Sequence, residues 1–168
     1  AVSMRELESA DFILAVGIDP VHEAPMLALA LRQAFREDAG IVVMDPRPVS
    51  APFDFDHVAI APAEIGGCLS RITEALSALQ ADSAAQGKET RRPEAAGPLR
   101  ADLDSRIAGI VERLRGSRNP VIVCGTDIVR DSTPDRAADL ARLLLQLKAR
   151  PCLFFVLPGP NSFGAVLL

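Results

Sequence analysis

Apolar residues follow two rhythms along this chain. Phe12, Ile13, Leu14, Ala15 and Val16 run unbroken to Gly17, and Ile41 to Met44 run the same way to Asp45-Pro46. Runs without polar alternation suit strands buried on both faces of a parallel sheet. Between them Met26, Leu27, Leu29, Ala30, Leu31, Ala34 and Phe35 recur at helical spacing, with Arg32, Gln33, Arg36 and Glu37 toward water and Gly40 as a stop signal. Residues 10–47 therefore spell a strand, a turn, a helix and a second strand.

The same alternation of rhythms continues. After the Pro-rich stretch 48–52, Val58-Ala-Ile60 predicts a short third strand bounded by Pro62. Ile65, Cys68, Leu69, Ile72, Ala75, Leu76 and Leu79 then predict a helix whose Gly66-Gly67 either frays or packs very closely. From Ala81 to Pro98 the periodicity stops and Gly, Pro and charge accumulate, which predicts a flexible connection. Leu99, Leu103, Ile107, Ile110, Val111 and Leu114 resume the helical pattern up to Gly116, and Val121 to Cys124 predict a fourth strand ending at Gly125. Thr133-Pro134-Asp135 reads as N-cap, first-turn proline and dipole-matching carboxylate of a helix through Leu140, Leu143, Leu144 and Leu147. Cys152 to Leu157 predicts a fifth strand, closed by Pro158-Gly159-Pro160.

Five strands joined mostly by helices on right-handed paths predict an α/β fold: one doubly wound parallel sheet in the order 3-2-1-4-5, with helices on both faces. Residues 1–168 then form a single domain. Ligands of such sheets bind beyond the carboxyl ends of the strands, at the switch point between strands one and four. Three loops meet there: Gly17 to Pro20, Gly125 to Asp127, and Pro158 to Asn161. Small residues in them let a ligand approach the backbone closely. Asp45 ends the second strand, where an acidic residue commonly meets a ribose hydroxyl, although Asp-Pro-Arg also makes an ordinary strand-ending turn.

Composition narrows the chemistry. At 168 residues, 49% hydrophobic and 24% charged, the chain is large enough to bury a core without metals or disulfides. A formal net charge of −4 and the absence of Trp and Tyr oppose nucleic acid as a partner, and no apolar run reaches the ~20 residues that span a bilayer. Cys68, Cys124 and Cys152 are odd in number and widely spaced, so they read as buried apolar residues in a reducing, cytoplasmic setting. The three-glycine phosphate fingerprint of NAD-binding units is missing, and no nucleophile elbow supports hydrolase chemistry. His22 and Glu23 lack further partners at metal-ligand spacing, Glu23 favouring the helix dipole. His57, with Asp54 and Asp56, reads as a solvated loop. The chain starts Ala-Val-Ser and stops at Val166-Leu-Leu168, which is expected of a fragment of a longer polypeptide.

Gly17-Ile-Asp-Pro20, the later Pro25 and Asp45-Pro46-Arg47 resemble motifs of the molybdopterin oxidoreductase family. Members often show Gly-x-Asn-Pro and a later Asp-Pro-Arg in a Rossmann-like domain that holds one guanine nucleotide end of the molybdopterin cofactor. Gly159-Pro-Asn161-Ser-Phe-Gly164-Ala is similar to the family's Asn-x-x-Gly-Ala segment. The resemblance covers about two thirds of the chain by these motifs, and implies a site of Gly17, Asp19, Pro20, Asp45, Arg47 and Asn161, to which the topology adds Gly125.

Three departures are informative. Asp19 stands where cofactor-binding members place Asn, and a carboxylate repels a pyrophosphate unless paired or protonated. Pro62-Ala-Glu64-Ile replaces a Pro-Gly-Thr-Asp type of loop, adding a further negative charge. The cysteine cluster of catalytic members is absent from this stretch. These features resemble the branch of the family that includes a component of NADH-quinone oxidoreductase, its G subunit, and imply a scaffold that binds no cofactor itself. Iron-sulfur clusters then lie elsewhere in the parent chain. The implied partners are other domains of that chain and subunits of an electron-transfer complex at the cytoplasmic face of the membrane, without direct membrane insertion. Two alternatives remain: a functional molybdopterin guanine dinucleotide-binding domain of a formate-dehydrogenase-like enzyme, and a stand-alone nucleotide-binding module.

Overall fold

A computed structural model describes residues 3–84, 98–130, 132–147 and 149–159. Five parallel strands form one sheet in the order β3-β2-β1-β4-β5: β1 Phe12–Val16, β2 Gly40–Met44, β3 Asp56–Val58, β4 Pro120–Gly125 and β5 Cys152–Val156. The helices are α1 Met4–Glu8, α2 Pro20–Glu23, α3 Pro25–Arg36, α4 Pro62–Ala84, α5 Pro98–Gly116 and α6 Thr133–Gln146. The expected α/β architecture and strand order are both present.

Alternation along the strands splits the core into two layers. Leu14, Val16, Val42, Met44, Ile122 and Cys124 point to one face, where α4, α5 and α6 cover them. Ile13, Ala15, Ile41, Val43, Val121 and Val123 point to the other, beneath α1 and α3. Every residue of β1 and β4 is buried, which is why both strands read as unbroken apolar runs. The β2–β3 connection carries no helix. Phe53 takes that role, buried against the second layer and stacked between Phe35 and Phe55 at centroid separations of 6.2 and 6.0 Å.

Several boundaries move from their expected places. The third strand is Asp56–Val58 rather than Val58 to Ile60, and Ile60 is buried as a core residue beyond the strand end. The fifth strand stops at Val156, one residue short of Leu157. Gly40 does not stop α3: Asp38 takes the left-handed turn at φ 66°, and Gly40 opens β2. Thr133 is not the cap of α6 but its first residue, preceded by Ser132. The Thr133 hydroxyl is fully buried against α4 with no hydrogen-bond partner. Gly66 resolves as close packing rather than fraying. A Cβ there would lie 3.2 Å from Thr133 Oγ1, and Arg136 Nη1 donates to the Gly66 carbonyl at 3.1 Å. Helix α4 continues to Ala84 and α5 begins at Pro98, so only 85–97 of the expected flexible connection remain, and these lie outside the described residues.

Asp11 ties the entry of β1 to the α5–β4 turn. Its carboxylate accepts from Ser117 Oγ, from the Arg118 amide at 2.6 Å and from the Asn119 amide at 3.1 Å. Burial alone would push this carboxyl up, but the hydrogen bonds outweigh it and hold it below the usual range. A depressed folded-state value means that the contribution is present above the unfolded carboxyl's pKa of about 3.9 and is lost as pH falls through the folded value. Melting temperature is therefore expected to hold from pH 7 to about 5 and to fall progressively below about pH 4. Asp11→Asn should flatten that acid limb; an unchanged pH profile in scanning calorimetry would contradict the assignment.

Candidate functional site

The carboxyl ends of β1, β2 and β4 carry the residues that the sequence nominates. Gly17 leaves β1 with φ +62°, its amide donating to the Met44 carbonyl at 2.8 Å. The chain then turns into α2, for which Asp19 is the N-cap and Pro20 the first helical residue. Asp19 Oδ1 accepts from the amides of Val21 at 3.0 Å and His22 at 3.2 Å, and Oδ2 accepts from His22 Nδ1 at 2.7 Å. The residue is 7% exposed. Burial acts to raise its pKa, yet the His22 ring and the two amides prevail, so the carboxyl sits below its ordinary range and is ionised near neutrality.

Asp45 ends β2 with no exposed surface. Arg47 closes back on it in a fork, Nε to Oδ1 and Nη2 to Oδ2, both at 2.8 Å, while the Arg47 amide donates to Oδ1 at 2.8 Å. The remaining Nη1 meets Glu23, which therefore does more than favour the dipole of α2. These hydrogen bonds, with Asp45 foremost, raise the guanidinium's affinity for its proton further. His57 is likewise more than a loop residue: its Nε2 donates to the Asp45 carbonyl at 3.1 Å.

Of the three expected switch-point loops, those after β1 and β4 come together and fill one another, whereas the third runs from Pro158 into residues outside those described. A Cβ on Gly125 would lie 2.1 Å from the Gly17 carbonyl oxygen and 2.9 Å from its carbon. A Cβ on Gly17 would lie 2.2 Å from Val129 Cγ1. Val129, absent from the sequence-based candidates, is thus the side chain that seats on the glycine turn. Thr126 joins β4 to β5 through the Val156 carbonyl, its amide at 3.1 Å and its hydroxyl at 3.0 Å. Asn161 and Gly164 lie outside the described residues, as does the rest of the segment from Pro160. A cavity of about 230 Å³ lies instead beside β3 and α5, and its Arg106 and Arg113 pair with Asp102 and Asp56.

No group of three or more His, Cys, Asp or Glu among the described residues is arranged to hold a metal ion. The three cysteines are free thiols; Cys68 and Cys124 are buried, whereas Cys152 is only partly so, short of the full burial expected. Burial pushes all three thiols up, that of Cys124 to about 12. No described helix is long and apolar enough to cross a membrane.

Comparison with known proteins places this geometry in context. The G subunit of NADH-quinone oxidoreductase from Pseudomonas fluorescens is 26% identical over 180 aligned positions, covering 99% of this chain and 20% of that protein. The Salmonella typhimurium protein of the same name is 25% identical over 177 positions, covering 96% of this chain and 19% of its own length. The chain thus spans about one fifth of these curated relatives. Among solved structures, a chain of the formyltransferase/hydrolase complex from Methylorubrum extorquens superimposes with a TM-score of 0.60 at 16% identity, over 99% of this chain and 41% of that one, a likeness of fold. The sequence model of molybdopterin oxidoreductases matches residues 1–148, and the chain belongs to that family.

Proposed function

We propose that this domain is a scaffold within an electron-transfer protein akin to the NADH-quinone oxidoreductase G subunit and holds no cofactor of its own. The observation that carries the reading is the state of Asp19. Its carboxylate takes the first free amides of α2, the donors that a phosphate would otherwise reach after β1. Arg47, which reaches α2 through Glu23, is already shared between Asp45 and Glu23. Three carboxylates against one guanidinium make the strand ends a poor fit for a pyrophosphate. Val129 and the Gly17 carbonyl occupy the space that the two glycines leave.

On this reading the iron-sulfur clusters and the redox chemistry belong to parts of a longer chain outside residues 1–168. The domain contributes packing surfaces to neighbouring domains and subunits at the cytoplasmic face of the membrane.

Ligand-dependent melting tests the proposal. A site filled at one hundred times its dissociation constant stabilises the fold by about 2.7 kcal/mol, roughly 5–10 °C for a chain of this size. GDP, NADH and FAD at millimolar concentration are each expected to leave the melting temperature within 1 °C. A rise with GDP would overturn the scaffold reading in favour of a pterin guanine dinucleotide site. A rise with NADH or FAD would favour a nucleotide-binding module.

A further inference from the structure

The two edges of the sheet differ. β3 is three residues long, begins with Asp56 and is closed by α5, whose Arg106 Nη1 donates at 3.0 Å to the outward-facing His57 carbonyl. β5 has five residues, Cys-Leu-Phe-Phe-Val, none of them charged, and among the described residues it pairs with β4 alone. The Val156 carbonyl is turned to β4, where it accepts from Thr126, so alternation turns the amides and carbonyls of Leu153 and Phe155 outward. An uncharged strand edge of this kind is a template for another strand.

The helix above this edge is apolar on the same side. Arg136 turns one flank of α6 to α4, donating to the Gly66 carbonyl and to Ser70 Oγ. On the opposite flank Ala138, Ala141 and Leu145 recur at helical spacing, the alanines half-buried and Leu145 65% exposed. Leu153 packs into the layer that α6 covers, and Phe155, 41% exposed, shares its face. The occupant that matches both layers is a strand carrying its own helix.

We infer that this occupant is a second copy of the chain, its β5 running antiparallel to the first across a two-fold axis at Phe154. Symmetry makes the outward groups complementary. Each Leu153 exchanges both of its hydrogen bonds with the partner's Phe155, and the two Phe154 residues face each other as a non-hydrogen-bonded pair. The helices fit the same operation. α6 touches β4 and β5 equally, so the two α6 helices stand two strand spacings apart, about 9–10 Å, a distance at which helices pack when small residues such as Ala138 and Ala141 meet. Two strand steps also rotate them by about 40–50°, close to the commonest class of helix crossing. Neither β5 nor the Ala138, Ala141 and Leu145 flank carries a charge, so identical surfaces meet without repulsion. The patch measures roughly 17 by 20 Å, less than the ~800 Å² per partner of a stable complex, which makes the dimer a reversible one. Such pairing leaves the carboxyl ends of the strands untouched and is independent of the nucleotide test.

Sedimentation velocity on the full chain from about 2 to 200 μM reads the association, whose mass is expected to rise from 17.9 kDa toward twice that value. Phe155→Lys and, separately, Leu145→Glu should weaken it about tenfold or more. Both positions are exposed, so circular dichroism should not change. The register is read by Phe154→Cys in a Cys152→Ser background: diamide should join two copies, since opposed residues of a non-hydrogen-bonded pair hold their Cα atoms about 4.5 Å apart. In the unsubstituted chain the two Cys152 residues stand about 14 Å apart and should not cross-link. A monomer at every concentration, association indifferent to both charged substitutions, or cross-linking through Cys152 rather than through position 154 would overturn the proposal.

Discussion

Alanine at Gly125 is expected to destabilise the protein by at least about 3 kcal/mol, a large fraction of the margin that holds a domain folded. The added carbon would stand 2.1 Å from the Gly17 carbonyl oxygen, which is backbone and cannot rotate away. Either β4 or the β1–α2 turn must move, and both are embedded in the sheet. Alanine at Gly17 meets a different obstacle. Its φ of +62° costs about 1–2 kcal/mol for a residue with a Cβ, and the colliding atom is a side-chain methyl of Val129. Val129→Ala should therefore recover part of the Gly17→Ala loss while leaving the Gly125→Ala loss intact. Urea unfolding of the three single variants and the two double variants reads both comparisons. A Gly125→Ala protein within about 1 kcal/mol of wild type would show that the turn is loose enough to admit a ligand after all.

Small residues at strand ends carry an ambiguity that sequence cannot resolve. Gly17 and Gly125 were legible as positions of close approach, and the structure agrees, but what approaches Gly125 is the Gly17 carbonyl rather than a ligand. The strands β1, β2 and β4 were legible because burial on both faces leaves no polar residue in the run. β3 was less so. As an edge strand it pairs on one side and starts with Asp56 and His57, so its pattern begins two residues before its apolar part. The short helices α1 and α2 hold too few turns for periodicity, yet their starts were written in the chain. Ser3 and Glu6 form a capping box, and Asp19-Pro20 is an N-cap followed by an N1 proline. Reading Asp19 as a cap, rather than as a ligand-facing residue, would have disclosed where its charge goes. Glu23 and His57 could not be assigned that way, because their partners Arg47 and Asp45 are 24 and 12 residues away and meet them only through the sheet.

Arg47→Leu is expected to cost about 2–3 kcal/mol, the second largest effect. Asp45 has no exposed surface, and this substitution strips two of the three donors from its carboxylate, leaving only the residue 47 amide. Breaking a buried pair ordinarily costs about 3–5 kcal/mol. The Arg47 side chain is 38% exposed, however, so water entering its place softens the loss. Asp45→Asn removes the charge and keeps the shape, and Arg47 retains Glu23, so about 1–2 kcal/mol is expected. In the double variant no buried charge is left unpaired. Its loss should fall short of the sum by about 1–2 kcal/mol, a coupling that a thermodynamic cycle in urea measures directly. An arginine held in reserve for a phosphate would behave otherwise: its removal would cost little without ligand and show no coupling to Asp45. Additive losses with Arg47→Leu below about 0.5 kcal/mol would thus remove a main support of the scaffold reading, because they would return a free cation to the end of β2.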